Sequence, residues 1–144
     1  MTYGLVTLAA VMFGLYNVFI KLSADHIQAV LGAVVLQFVA AFIGLGMLGY
    51  LYLATPTTLT ISGRGLLLSA LAGVAIGVVE IVSFIIYGRG MDVAVGNPLI
   101  VGGSLLVTTG VGYLLLREHL STLQLAAIGL IMLGITLLAW GATR

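Results

Sequence analysis

The sequence predicts an all-α integral membrane protein, a bundle of five transmembrane helices. Three observations carry that reading. Hydrophobic residues make up 62% of the 144-residue chain and charged residues only 6%, whereas a soluble domain carries about 25% charge. The mean hydropathy is +1.30. The apolar residues also fall into five long runs, each close to the roughly 20 residues that cross the hydrocarbon of a bilayer. These runs are too long for buried strands. They also lack the alternation over about 10 residues that a membrane barrel requires.

The first run extends from about Tyr3 to Ile20 and stops at Lys21, followed by the short polar turn LSADHIQ. The second covers about Ala29 to Leu53. The longest connection, ATPTTLTISGRG, is rich in Thr and contains Pro56. The third run goes from about Gly65 to Gly88 and leads into the Gly-rich GRGMDVAVGNP. There Asn97 suits an N-cap and Pro98 a first helical position. The fourth run then covers about Pro98 to Leu116, and the fifth about Thr122 to Trp140. Between them, REHLSTLQ places Ser121-x-x-Gln124 at capping-box spacing where the last helix must begin. A single domain over residues 1–144 is expected, with no soluble domain, low-complexity segment or internal repeat. The N-terminus lacks a basic stretch followed by a small-residue cleavage site, so the first helix is expected to be retained.

Several function classes are disfavoured. Without cysteine there is no disulfide framework, thiolate metal site or thiol nucleophile. Net charge is +1 and single-sign runs are absent, which argues against a nucleic-acid partner. No Gly-Lys-Ser/Thr ending supports phosphate cradling. With no His/Asp/Glu cluster and no nucleophile–base pair, the chain is expected not to be an enzyme and to need no cofactor or metal.

Charge also speaks to topology. Five spans put the termini on opposite sides, with Arg64 and Arg117 on the N-terminal side and Lys21, Arg89 and Arg144 on the other. The positive-inside rule needs an excess to choose an orientation, and two against three is almost none. Either so few charges report nothing, or both orientations insert.

One residue needs a reason of its own. Glu80 stands alone in GVAIGVVEIVSFIIYG, about 5 Å from the middle of its span at 1.5 Å per residue. A charge near mid-bilayer costs at least about 2.5–3.5 kcal/mol on insertion scales. Gly73, Gly77, Glu80, Phe84 and Tyr87 share one helical face, with small residues on one side of the carboxylate and aromatics on the other. Asn97, Ser104 and Thr108 form a polar stripe on the fourth helix, while Gly14, Asn17 and Lys21 align on the first. Gln37 is expected to be buried in the second helix. Together these stripes predict a shared wet interior, with Glu80, Asn17, Tyr87, Phe84, Tyr16, Asn97, Ser104 and Thr108 as the substrate- or proton-binding set. A neutral Glu80 can release a proton, and an ionised one can hold a cation. Plainer readings stand beside this one. Ser and Thr in membrane helices bond back to their own helix, Asn17 and Gln37 serve as interhelical glue, and Lys21 and Arg89 snorkel at span ends. Tyr3, Tyr50, Tyr52 and Trp140 fit an interfacial belt.

The stretch FGLYNVFIKLSA and the C-terminal half, NPLIVGGSLLVTTGVGYLLLREHLSTLQLAAIGLIMLGITLLAW, resemble the drug/metabolite transporter superfamily, specifically a single EamA-type domain. Phe13-Gly14 followed by Lys21 matches the family's first helix. Arg117-Glu118-His119-Leu120 matches the turn after the fourth, and Gly129 and Gly134 match the Gly-rich last helix. The C-terminal half also resembles the small multidrug resistance branch, whose Gly-rich penultimate span Gly102-Gly103 matches. The chain departs from that branch in its extra second helix and in Phe13, where the branch has a membrane-embedded Glu, so that residue's role is not carried over. The resemblance implies half of a ten-helix inverted-repeat transporter, multi-pass in the inner or plasma membrane of a prokaryote. It implies a small-molecule transporter or exporter working by alternating access between inverted halves. One half must find a second, and the weak charge bias fits an antiparallel homodimer. The alternatives are a half-transporter subunit that needs a paralogous partner and a lipid-carrier flippase. Besides the lipid bilayer, the expected partners are a small-molecule substrate and a second copy.

Overall fold

The computed structural model describes residues 2–54 and 61–142. Pro56 and Arg144, invoked for the longest connection and for the charge count, lie outside the described residues. Among the described residues there are five α-helices and no strand: α1 (Thr2–Ala24), α2 (Ala29–Ala54), α3 (Gly63–Gly88), α4 (Val93–Leu114) and α5 (Thr122–Ala142). Each is long and apolar enough to cross a membrane. The shortest, 21 residues, spans about 31 Å at 1.5 Å per residue. Leu, Val, Ile and Phe side chains are exposed along all five helices, whereas Asn17, Glu80 and Ser83 are buried. This inverts the usual distribution of a water-soluble domain.

The chain divides into two compact units, Met1–Gly90 and Met91–Arg144. In the first, α1, α2 and α3 all pack on one another. Helix α1 continues one turn past Lys21, its expected end, to Ala24. The chain then reverses, with the His26 N–H donating to the Ser23 carbonyl at 2.9 Å. The Gln28 side chain caps α2 by accepting from the Leu31 N–H at 2.9 Å. Helix α3 starts at an extended Ser62 whose hydroxyl accepts from the Gly65 N–H at 3.1 Å. It ends where the Gly90 N–H donates to the Tyr87 carbonyl at 3.0 Å, with Gly90 at φ +94°. Gly is favoured there because a Cβ would be strained in the left-handed region.

Two close approaches hold α2 to α3. A Cβ on Gly32 would lie 2.6 Å from the Phe84 ring, and one on Gly77 would lie 2.9 Å from the Gln37 amide nitrogen. Gln37 is thus not buried as expected. It is exposed and lies over Gly77, because only hydrogen stands there on α3.

In the second unit, α4 and α5 pack together. Gly102 is buried against Ile135 of α5, a contact that leaves no room for a Cβ, while Gly103, Gly129 and Gly134 face open space. The start of α4 differs from the sequence expectation. Asp92, not Asn97, is the extended N-cap residue, and its carbonyl accepts from the Val95 and Gly96 N–H groups at 3.1 and 2.8 Å. Pro98 therefore lies inside the helix, at its sixth position, and not at its start. Helix α4 stops at Leu114, two residues before the expected end, and Arg117 reverses the chain at φ +54°. The Glu118 N–H then donates to the Gly112 carbonyl at 3.0 Å. Helix α5 begins on a complete capping box. The Ser121 N–H donates to Gln124 Oε1 at 2.7 Å, and the Gln124 N–H donates to Ser121 Oγ at 3.3 Å.

Candidate functional site

Glu80 lies three and four residues before Ser83 and Phe84, which lie four and three before Tyr87, and all four are buried. That spacing places them on one face of α3. No other residue of α3 is buried, so the face closes only along the last turns of the helix. Opposite stand Asn17 and Ile20 of α1, and Gly32 and Ala33 of α2. Measured on the full helix, Glu80 lies about 7 Å from the middle of α3 at 1.5 Å per residue.

The polar groups in this cluster pair only in part. Asn17 Nδ2 donates to the Phe13 carbonyl one turn back at 2.9 Å, while Asn17 Oδ1 accepts from the Tyr87 hydroxyl at 3.3 Å. The second distance is long for an O–H donor. Lys21 Nζ donates to the Tyr87 carbonyl at 3.1 Å. Its charge thus sits at the C-terminal end of α3, where the helix dipole favours a cation. Ser83, which sequence reasoning did not single out, turns its hydroxyl back to the Val79 carbonyl at 2.7 Å.

Two oxygens remain. Glu80 Oε2 and the Tyr16 hydroxyl are enclosed and have no hydrogen-bond partner among the described residues. Glu80 is only 5% exposed. Tyr16 lies within electrostatic reach of both Glu80 and Tyr87, and its ring stacks on Phe13 with centroids 5.6 Å apart. Enclosed polar atoms normally find a partner. A carboxylate oxygen and a phenol left without one can hold a proton, a cation or a hydrogen-bonding ligand.

Tyr16 and Phe84 also line a cavity of about 710 Å³ within the first unit. It lies along α1 and α2, its walls are almost wholly apolar, and Ser23 and His26 mark one end. This cavity is greasy because α1 and α2 turn Phe19, Ile20, Val35 and Leu36 into it.

Of the residues expected to form the site, α1 and α3 bring together Tyr16, Asn17, Glu80, Phe84 and Tyr87. Asn97, Ser104 and Thr108 belong to the second unit. Ser104 and Thr108 are exposed there, and each bonds back to its own helix, Ser104 Oγ to the Val101 carbonyl at 2.7 Å and Thr108 Oγ1 to the Ser104 carbonyl at 2.9 Å. Asn97 Oδ1 is enclosed without a partner among the described residues. Gly73 faces open space rather than a neighbouring helix. Among the described residues no three His, Cys, Asp or Glu side chains gather as a metal site would need. No protein-family model, curated protein or solved structure matches this chain.

Proposed function

We propose that the chain is a five-helix half of a small-molecule transporter of the drug/metabolite type, working as a dimer by alternating access, with Glu80 as the group whose charge changes during transport. One observation carries the reading. Among the described residues, a carboxylate oxygen buried among apolar helices has no hydrogen-bond partner, and it lies within electrostatic reach of a phenol that likewise has none. Such an arrangement is costly in a bilayer, and ionisable groups kept at that depth mark ion and substrate pathways. The EamA-type sequence resemblance supports the same reading, as does the near absence of Lys/Arg bias between the two sides. A second copy inserted in the opposite orientation would supply the inverted half that such transporters need.

The test is Glu80→Gln in proteoliposomes, with uptake of a panel of amines and neutral metabolites measured across an imposed pH gradient. Gln keeps the size and removes the titratable proton. Insertion and assembly should be normal, because removing a buried charge relieves its desolvation cost. Transport should lose its pH dependence. Glu80→Asp should retain part of the activity with a shifted pH profile. Glu118→Gln, in the exposed turn after α4, is the control and should transport as wild type. Wild-type rates and pH dependence in Glu80→Gln would reduce Glu80 to a structural group and overturn the proposal.

A further inference from the structure

The polar side chains of the buried cluster between α1 and α3 already donate, with one exception. Asn17 Nδ2 donates to the Phe13 carbonyl and the Ser83 hydroxyl to the Val79 carbonyl. The Tyr87 hydroxyl donates to Asn17 Oδ1, and Lys21 Nζ to the Tyr87 carbonyl. On α2, the only polar side chain between Ala29 and Gly49 is Gln37, which is exposed and lies over Gly77. The exception is the Tyr16 hydroxyl, which is enclosed and has no partner among the described residues.

The unmet acceptor is Glu80 Oε2, on a side chain only 5% exposed. Tyr16 and Glu80 stand on helices that pack together and lie within electrostatic reach of each other. An enclosed acceptor costs its desolvation unless a donor meets it, and an ionised carboxylate costs far more than a neutral one. A phenol can supply that donor. Its bond to a carboxylate is charge-assisted and roughly twice as strong as a bond between neutral groups. The other titratable groups nearby are Lys21 and Tyr87, both committed as above, and α2 brings none before Tyr50.

We propose that Tyr16 is the positioning residue for Glu80: its hydroxyl donates to Oε2, and that bond tightens when the carboxyl loses its proton. The flexible Glu80 side chain closes the pair by rotation, because the Tyr16 ring is held by its stack on Phe13. The proposal rests on the reading of Glu80 as the group whose charge changes, and it names what that charge acts on. Loss of the proton ties α3 to α1 at a third point, in addition to the two bonds that Tyr87 makes to Asn17 and Lys21. Regaining the proton loosens it.

The experiment is infrared difference spectroscopy of the full chain in liposomes, between acid and alkaline buffer. Glu80 and Glu118 are the only glutamates. Cell-free synthesis with carboxyl-13C glutamate in a Glu118→Gln background therefore isolates the Glu80 band. The protonated carboxyl should give a C=O band that disappears as pH rises. Tyr16→Phe should move that band to higher frequency, because the carbonyl loses a donor, and should shift the pH at which it disappears. Tyr87→Phe should leave the frequency unchanged, since that hydroxyl serves Asn17. Replacing tyrosine by 3-fluorotyrosine, a more acidic phenol and so a stronger donor, should move the band to lower frequency, and this effect should be absent in Tyr16→Phe. Fluorotyrosine keeps the shape of the side chain, so this arm stands even where Tyr16→Phe fails to fold, as judged by helix content. The same lowering in Tyr87→Phe then excludes Tyr87 as the donor. A titrating band that ignores both Tyr16→Phe and fluorotyrosine would overturn the role of Tyr16 and leave Glu80 as the charge-changing group. A Glu80 band that does not titrate would overturn both.

Discussion

The Tyr87 hydroxyl reaches from α3 to Asn17 Oδ1 on α1 at 3.3 Å, while Lys21 of the same α1 face donates to the Tyr87 backbone carbonyl at 3.1 Å. One residue of α3 thus engages α1 at both its side chain and its backbone. Tyr87 is fully buried at this junction. These two bonds fix the angular position of α3 against α1, and with it the face that presents Glu80.

The first prediction concerns the strength of that junction. Interhelical hydrogen bonds in membranes average about 0.6 kcal/mol and reach about 1.7 kcal/mol, and 3.3 Å is a long bond. A double-mutant cycle with Tyr87→Phe and Asn17→Ala should therefore give a coupling near about 0.6 kcal/mol. Reversible unfolding in mixed micelles measures it. A coupling indistinguishable from zero would mean that the two groups do not hold the helices together.

The Gly32–Phe84 approach should be far less forgiving. A Cβ would lie 2.6 Å from a ring atom that is itself buried. Gly32→Ala must displace the Phe84 ring, and Gly32→Leu must part α2 from α3. Overpacking of this kind costs roughly 1–3 kcal/mol. Gly44→Ala on the same helix is the comparison, because nothing lies within 4 Å of its Cβ position. It should be neutral or slightly stabilising in the same unfolding assay. Equal effects at the two positions would mean that the close approach is not part of the folded state.

Pro98 offers a third test. At the sixth position of α4 it has no N–H to give to the Ala94 carbonyl, which an unbroken helix would bond. Pro98→Ala restores that bond and should stabilise α4, by up to about 3 kcal/mol if nothing else satisfies the carbonyl. Membrane helices tolerate proline because neighbours re-satisfy freed groups, so a smaller gain would report such a neighbour. A loss of stability would show that the helix needs its proline.

Proline also marks where the sequence misleads. Asn97-Pro98 carries the chemistry of a helix start, yet the backbone of Asp92 opens α4 five residues earlier, because Val93, Ala94 and Val95 continue the apolar run once Gly90 has turned the chain. Elsewhere the local signals were sufficient. The Ser121–Gln124 pair forms both of its reciprocal bonds, and the five apolar runs become five helices. Periodicity also put Glu80, Phe84 and Tyr87 on one face, since that follows from 3.6 residues per turn alone. It could not say what that face meets. The contact of Gly32 with Phe84, the reach of Lys21 to Tyr87 and the nearness of Tyr16 to Glu80 depend on how helices rotate against one another, which no spacing within one helix records. Ser104 and Thr108 show the opposite limit. Their stripe was legible, but each hydroxyl finds its partner one turn back, so the stripe needs no polar neighbour.

The last prediction concerns orientation and rests on the Lys/Arg count. The span count of the sequence predicts Arg64 and Arg117 on one side and Lys21, Arg89 and Arg144 on the other, which leaves the chain close to balance under the positive-inside rule. One or two added charges should then fix its direction. Lys substitutions at Ile61 and Ser62, beside Arg64, should place the N-terminal side in the cytoplasm. Lys at Met91 and Asp92, beside Arg89, should place it outside. All four positions are exposed, but Ser62→Lys removes the hydroxyl that caps α3 at the Gly65 N–H, so Ile61→Lys alone is the control for loss of that cap. Reporter tags at the two termini read the outcome, and the wild type should give signal on both sides. If an antiparallel homodimer is the working unit, each fixed variant alone should lose transport, because it lacks the inverted copy. Co-expression of the two should restore it, and restoration should require Glu80 in at least one of them. A fixed variant that transports alone would rule out the antiparallel homodimer and leave a parallel assembly or a separate partner chain.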